Sequence, residues 1–370
     1  MNYIGSKYRL LEPILALLDH WKVPDSGTAV DPFCGTGAVA AALKARGHRV
    51  VAGDWQRYAE RTAHALVCLD EPPAFPGLQE VDGCAEAPAF SASQRTLKLR
   101  GRAGAVLRHL DALPGKDGAF ADAYAEGGGG GRLYFSQENG RRIQAIRDQI
   151  ADWHERRAIT DDEVAWLVAS LIESADRVAN TASVYGAYLK RLKKTAERPL
   201  RLIGIAPQSS RRMGQHHETY CCDAAALLER TAAYEPVLTY IDPPYNHRQY
   251  AGNYHVLETI ACWDLDRFEP RGISGLRPRG EQGSPFCRRS QARDAFARLF
   301  DAVSSPWLLV SYNNEGLLDR ETLTGLISRE FAIVAFKELD YPRFRADRDR
   351  PARRYRADET VEYLILGRRR

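Results

Sequence analysis

The sequence predicts an α/β protein: one open sheet interrupted by a large, mainly helical insertion. Three observations carry that prediction. A strand, a glycine turn, a helix and a second strand run from Thr28 to Asp54. Short apolar strands return from about Leu200 to the end of the chain. Between them, across 71–199, the strand pattern gives way to scattered Pro, Gly and charge, and then to long helical patterns.

TAVDPFC (28–34) reads as a short buried strand, GTG (35–37) as a tight turn, AVAAALKAR (38–46) as a helix stopped at Gly47, and HRVVAGD (48–54) as a strand ending on an acid. A further helix is expected from Gln56 to about Leu69, after which EPPAFPG (71–77) breaks the pattern. Five consecutive glycines, 127–131, read as a flexible loop. Helices follow at Gln137–Arg156 and from Asp161 to about Ser174, the second with Thr160 and Glu163 at capping-box spacing. AAALLERTAAY (224–234) reads as a helix with Asp223 at its N-cap. Strands are expected at RLIGIA (201–206), PVLTYI (236–241), WLLVSY (307–312), FAIVAFK (331–337) and ETVEYLIL (359–366). The division that results is one domain over 1–70 and 200–370, and a second, inserted one over 71–199.

The chain has 370 residues, 44% hydrophobic and 27% charged, an ordinary globular composition. No apolar run approaches the ~20 residues that cross a bilayer. The opening MNYIGSKYRLLEPI lacks the apolar core and cleavage site of a signal peptide, so a cytoplasmic location without membrane partners is expected. The seven cysteines are odd in number and form no CxxC pair, which predicts reduced thiols and no metal site. Net charge is only +4, but it is unevenly placed. Residues 271–293 hold six arginines against one acid, 337–370 hold 11 basic against 7 acidic residues, and 190–212 add eight more Lys and Arg. Local basic stretches on a near-neutral chain suit a polyanion track.

Four short stretches carry chemistry. In Asp31-Pro32-Phe33-Cys34-Gly35-Thr36-Gly37 the glycines let backbone approach a ligand at a helix start, and the spacing is not the GxGxxG of a dinucleotide site. Asp54 is placed to accept from ribose hydroxyls. Asn2 to Lys7 and Cys222-Asp223 say little alone. Asp242-Pro243-Pro244-Tyr245 says most. Its prolines end a strand, and they fix one carboxylate, one rigid carbonyl and one ring at the strand's C-terminal edge. The exocyclic amine of a nucleobase needs this set, because its lone pair is delocalised into the ring. A carboxylate and a carbonyl that accept its two N–H groups draw the nitrogen toward tetrahedral geometry and offset the charge that develops as it attacks. The ring stacks on the base.

DPFCGTG, GDW (53–55) and DPPY, in that order and after an N-terminal YIGSK (3–7), resemble the S-adenosylmethionine-dependent amino-methyltransferases of DNA. The insertion ahead of DPPY makes the chain similar to the alpha-group, or D12-class, N6-adenine methyltransferases. NTASVYGAYLK (180–190), NHRQYAGNYHVLETIA (246–261) and SYNNEG (311–316) extend the resemblance, which is weakest across 71–159.

The resemblance implies a Rossmann-like sheet, S-adenosyl-L-methionine as cofactor, and methyl transfer to adenine N6 in double-stranded DNA with base flipping. It implies that 71–199 is a target-recognition domain, and that the setting is restriction–modification or another defence system in the bacterial cytoplasm, at the nucleoid, with cognate restriction or defence proteins as partners. Tyr3, Gly5 and Lys7 would close over the cofactor's methionine end. Asp31, Phe33, Gly35 and Gly37 would form the cofactor loop, Asp54 would hold the ribose, and Trp55 would stack beside the adenine. Cys222 and Asp223 would lie at the next strand end, where an acid meets the adenine amino group. Asp242 and the Pro243 carbonyl would hold the target amine, with Pro244 completing the turn and Tyr245 stacked on the base. Tyr341, Arg343 and Phe344 fall where family members carry a Tyr-Arg element near DNA. Lys190, Arg248, Tyr250, Asn253, Arg288 and Arg343 are the expected DNA contacts. The insertion holds 18 basic and 18 acidic residues, so base reading is expected of it rather than a phosphate clamp.

Three other readings stay open on the residues. Cytosine N4 would need the same chemistry, though those enzymes more often carry Ser in place of Asp242. Ribosomal RNA methyltransferases share the Asn/Asp-Pro-Pro-aromatic core, and the insertion and YIGSK favour DNA over them. A non-catalytic nucleic-acid-binding subunit need not retain Asp31, Gly35, Gly37, Asp54 and Asp242 together. No endonuclease motif is evident, so modification alone is expected.

Overall fold

The computed structural model describes residues 5–79, 96–97, 101–212, 214–247, 249–278, 283–342 and 359–370. Its strands are β1 (Thr28–Asp31), β2 (Arg49–Asp54), β3 (Thr96–Leu97), β4 (Gly204–Ile205), β5 (Glu218–Cys221), β6 (Leu238–Ile241), β7 (Trp307–Asn313), β8 (Phe331–Pro342) and β9 (Glu359–Arg369). The chain divides into two compact units.

One unit comprises Ile4–Ala63, Ser209–Ala251 and Gly280–Arg370. It carries a seven-stranded sheet in the order β5-β2-β1-β6-β7-β9-β8. The first five strands are parallel, and β9 runs antiparallel to both β7 and β8. β1 and β6 are fully buried four-residue strands. Parallel strands covered on both faces need this continuous apolar character. Val30, Val51, Ile241, Leu308, Val310 and Ile365 pack from the strands against Leu227, Phe296, Leu299 and Phe300 from helices. Each such burial stabilises by about 1.5–3 kcal/mol.

The sheet order explains where a ligand can bind. From β1 the chain crosses to β2 on one side, while β6, far away in sequence, pairs with β1 on the other through Ala29↔Leu238 and Val30↔Thr239. The direction of winding reverses between β1 and β6. The edge beyond their C-terminal ends is the place where open α/β sheets hold ligands. Asp31 and Asp242 stand at that edge.

The other unit comprises Met1–Tyr3, His64–Gln208 and Gly252–Arg279, so it takes in a stretch beyond Tyr245 as well as the insertion. Its helices include Gly101–Ala112, Gln137–Glu155, Asp161–Arg177 and His255–Cys262. The capping box forms: Thr160 Oγ1 accepts from Glu163 N, and Glu163 Oε2 accepts from Thr160 N at 2.8 Å. Trp166 on that helix donates its indole N–H to Ile205 O at 2.9 Å. Among the described residues, no helix is long and apolar enough to cross a membrane.

Three expectations are corrected. RLIGIA supplies only Gly204–Ile205, paired with Thr96–Leu97 in a separate two-stranded sheet, because Trp166 and Ser170 claim its backbone. The fifth parallel strand is instead β5, whose ETYC sequence is half-buried at the sheet edge and lacks an apolar run. The five glycines form hydrogen-bonded turns, with Gly130 N bonded to Asp122 O and Gly129 N to Asp122 Oδ1. At Gly128 a Cβ would stand 2.3 Å from Asp122 O, so close packing rather than looseness calls for glycine there.

Candidate active site

β1 delivers Asp31, which is 1% exposed, and its Oδ1 accepts Phe33 N at 3.3 Å. The chain then turns through Gly35 and Gly37, at φ 48° and 72°, conformations that favour glycine. The turn points Gly35 N at Asp54 Oδ2, 3.0 Å away, while Asp54 Oδ1 accepts Gln56 N at 2.9 Å. Asp54 thus ties the loop after β1 to the end of β2. Trp55 is half-buried, and its carbonyl accepts from Cys221 Sγ at 3.7 Å. Phe33 packs edge-on against Phe286 at 5.3 Å. Cys222 N donates to Asp54 O at 3.1 Å. Asp223 caps the Ala224–Thr231 helix through Ala225 N at 2.9 Å.

β6 delivers Asp242, 15% exposed. Lys7, in a 3₁₀ turn at Lys7–Leu10, extends into the same space. Its Nζ lies 3.2 Å from Asp242 Oδ1, 3.3 Å from Glu362 Oε2 and 5.5 Å from the centroid of the Tyr245 ring. Glu362 sits on β9 opposite Asn313 on β7, whose Nδ2 donates to Glu362 Oε1 at 3.1 Å. Pro243 is buried and Pro244 half-buried. Tyr245 meets Tyr312 edge-on at 6.3 Å, and its carbonyl accepts Leu317 N at 2.9 Å. A Cβ at Gly5, where φ is 82°, would lie 3.3 Å from Tyr250 Oη and 3.9 Å from Tyr245 Oη.

The electrostatics follow from this crowding of acids. Burial pushes the Asp242 carboxyl up to about 7; Lys7 pulls against it and the Glu362 charge adds to it. Burial also raises Asp31, and the charges of Asp242 and Asp54 raise it further. For Lys7 burial alone would favour the neutral amine, but Asp242 and Glu362 overcome it and hold it protonated.

Lys7, Asp31, Gly35, Gly37, Asp54, Asp242 and Tyr245, far apart in sequence, therefore gather at the C-terminal ends of β1, β2 and β6. Tyr250 joins them through Gly5. Arg288 stands exposed at the start of the Arg289–Asp301 helix. Lys190 and Asn253 belong to the other unit. Of the remaining expected residues, Tyr3, Arg248, Arg343 and Phe344 lie outside the described residues, and Tyr341 is the next-to-last residue of β8. Sequence reasoning missed Glu362 and Asn313. An acid in the middle of the apolar strand ETVEYLIL was the signal available for Glu362.

An α/β sheet of this topology, with a DPPY turn at its switch point, defines an amino-methyltransferase class. The chain belongs to the D12 class of N6 adenine-specific DNA methyltransferases, whose family model matches residues 3–321. It is 36% identical over 369 residues to the Type II methyltransferase M.NlaIII of Neisseria lactamica, covering 99% of this chain and 98% of that protein. It is 32% identical to the Type II methyltransferase M.FokI of Planomicrobium okeanokoites, covering 88% of this chain and 46% of that one. Against Modification methylase StsI of Streptococcus sanguinis the figures are 29%, 94% and 49%. The chain thus spans about half of the latter two relatives. No solved structure matches it significantly. The protein is a site-specific DNA methyltransferase acting on adenine N6, and its family implies S-adenosylmethionine as methyl donor.

Proposed function

We propose that the cluster at the ends of β1, β2 and β6 binds S-adenosylmethionine and an extruded adenine side by side, and that Asp242 with the Pro243 carbonyl holds the adenine amine. The observation that carries this reading is the cluster of acids at these strand ends: Asp31, Asp54, Asp242 and Glu362, with Lys7 between the last two. Such a donor set fits a ligand that brings its own cationic ammonium and sulfonium and two ribose hydroxyls. Gly35 and Gly37 let backbone come close to it, and Asp31 gains most from a nearby cation because it is buried among acids.

The bound cofactor supplies an electrophilic methyl group on sulfur. The chain's residues do the rest by position. Asp242 and the Pro243 carbonyl each accept one N–H of the amine, and Tyr245 stacks on the base. As the nitrogen gains charge, the net negative Lys7–Asp242–Glu362 cluster offsets it. Asp242 then takes the surplus proton from the methylated nitrogen. Tyr3, Gly5 and Lys7 border the methionine end, Phe33, Trp55 and Cys222 line the adenosine, and Asp223 acts beside them from its cap position.

The insertion, 71–199, is the proposed target-recognition domain, with 252–279 as part of the same compact unit. Lys190, Asn253, Tyr250 and Arg288 are proposed DNA contacts, as are Arg248 and Arg343. Flipping the adenine out of the duplex costs a few kcal/mol, which these contacts offset. A cytoplasmic setting beside the nucleoid, and a cognate defence nuclease, are consistent with the Type II relatives.

The test is methylation of unmodified plasmid DNA by the purified protein with S-adenosylmethionine, beside Asp242→Ala, followed by nucleoside mass spectrometry. N6-methyladenine from the wild type alone is expected. N4-methylcytosine, or no methylated nucleoside, would overturn the assignment of Asp242 to adenine.

A further inference from the structure

Among the described residues four large hydrophobic side chains are exposed, and two of them, Ile273 at 84% and Leu276 at 40%, lie on one turn of seven residues, 270–276. That turn is held with unusual thoroughness. Every main-chain carbonyl from Pro270 to Leu276 accepts a hydrogen bond. Arg132 alone reaches three of them: Nη2 stands 3.2 Å from Pro270 O and 3.0 Å from Gly272 O, and Nε 3.1 Å from Ile273 O. Tyr134 Oη and His255 Nε2 lie 2.9 and 2.8 Å from Ser274 O, and Tyr124 Oη donates to Gly275 O at 2.9 Å. Arg271 and Leu276 close the base by exchanging two backbone bonds of 2.8 Å.

This arrangement is costly. Arg132 is only 9% exposed, and a guanidinium taken out of water must be repaid by its acceptors. Gly275, at φ 68°, is also obligatory, since a Cβ there would stand 2.6 Å from Arg132 Nε. Folding alone explains neither cost, because the side chain so firmly presented is an isoleucine facing water. Rigidity of this kind serves a side chain that must enter something.

The surroundings point to what it enters. Arg271 is the only charged residue in the turn, and it is exposed. Ser274 Oγ donates to Gly186 O at 2.9 Å, joining the turn to the chain that leads on to the exposed Lys190 and Arg191. A narrow aliphatic tip, Ile273 with the less exposed Leu276, carrying the Arg271 cation and preceded by one exposed acid, Glu269, suits a base stack between phosphates. A protein partner would ask for a broader apolar patch.

We propose that the 270–276 turn is a rigid finger that enters duplex DNA, with Ile273 as the wedge between adjacent base pairs and Arg271 on the flanking phosphate. The proposal rests on the reading of this unit as the one that recognises DNA, and it names the element that opens the stack.

The test compares Ile273→Ala and Ile273→Leu with the wild type. Position 273 faces water, so equal melting temperatures are expected for both variants and are measured first. Plasmid methylation by the wild type maps the target site, and duplexes containing it then carry 2-aminopurine at successive positions. Ile273→Ala should lower kcat/KM for DNA at least tenfold and abolish a fluorescence rise at one base step. Ile273→Leu should stay within threefold, and the Kd for S-adenosylmethionine should not change in either. Ile273→Ala within twofold of the wild type, with the same fluorescence at every position, overturns the wedge and leaves the methyltransferase reading intact. A wild type that methylates no DNA brings down the functional reading and the wedge with it.

Discussion

Lys7 Nζ stands 3.2 Å from Asp242 Oδ1, joining a residue near the N-terminus to the strand end more than two hundred positions later. The same ammonium lies 3.3 Å from Glu362, so one cation serves two carboxylates and the group keeps a net negative charge. Several outcomes depend on that sharing.

Asp242 can offset the developing charge and take the surplus proton only when ionised, and burial pushes its carboxyl up to about 7. Because the folded-state value is raised, the ionised form is lost as pH falls through that value. The kcat/KM profile for DNA, which reports the free enzyme, should therefore drop on the acid side with a midpoint near 7. A cationic cofactor favours the carboxylate, so the kcat profile should break at lower pH. An acid limb at pH 4 to 5 in both profiles would count against Asp242 as the group that titrates.

Lys7→Met leaves Asp242 and Glu362 facing each other without a cation. Removing one partner of a buried ion pair costs about 3–5 kcal/mol, so the melting temperature should fall. The acid limb should move upward, because it is the Lys7 charge that pulls the Asp242 carboxyl down against its burial. Thermal denaturation and pH–rate profiles on the same variant check both effects.

Glu362→Gln should move the limb the other way. It removes one upward push on Asp242 and leaves Lys7 to that carboxylate alone. The carboxylate is then more fully neutralised, and kcat should fall by about tenfold, or ~1.4 kcal/mol. A merely structural loss would lower stability without displacing the pH midpoint.

Gly37→Ala places a Cβ on a residue at φ 72°. The left-handed conformation costs about 1–2 kcal/mol for an L-residue. If the loop relaxes to avoid it, Gly35 N leaves Asp54. Titration calorimetry should show S-adenosylmethionine binding weakened by about tenfold.

Arg277 and Lys190 lie in basic stretches of similar appearance but should behave differently. Arg277 forms a two-pronged pair with Asp264, at 2.7 and 2.6 Å, whereas Lys190 is exposed. Lys190→Ala should reduce the slope of log K for DNA against log salt by about 0.9. Arg277→Ala should leave the slope unchanged and lower stability instead. Binding measured across a salt series separates the two.

The parts of this molecule legible in the sequence are those where local chemistry leaves few choices. Asp31 to Gly37 had to turn at its glycines, Asp242 to Tyr245 had to end a strand at its prolines, and Thr160 with Glu163 had to start a helix. β5 was not legible, because a four-residue strand at a half-buried edge needs no apolar run. RLIGIA misled for the opposite reason: its apolar residues serve a two-residue bridge held by Trp166. Glu362 was hidden because its importance lies in a residue of the N-terminus, and only the sheet brings them together. Arg277 shows that a charge counted along the chain is available to a partner only when no neighbour has already engaged it.

The turn at 270–276 lies outside the insertion in sequence, yet Arg132, Tyr134 and Tyr124 of the insertion hold its carbonyls. The two stretches therefore hold their shape as a pair. A chimera that takes 71–199 from a relative and keeps its own 252–279 would set one lineage's finger in another's grip. Transplanting a new sequence preference onto this enzyme means moving both segments at once.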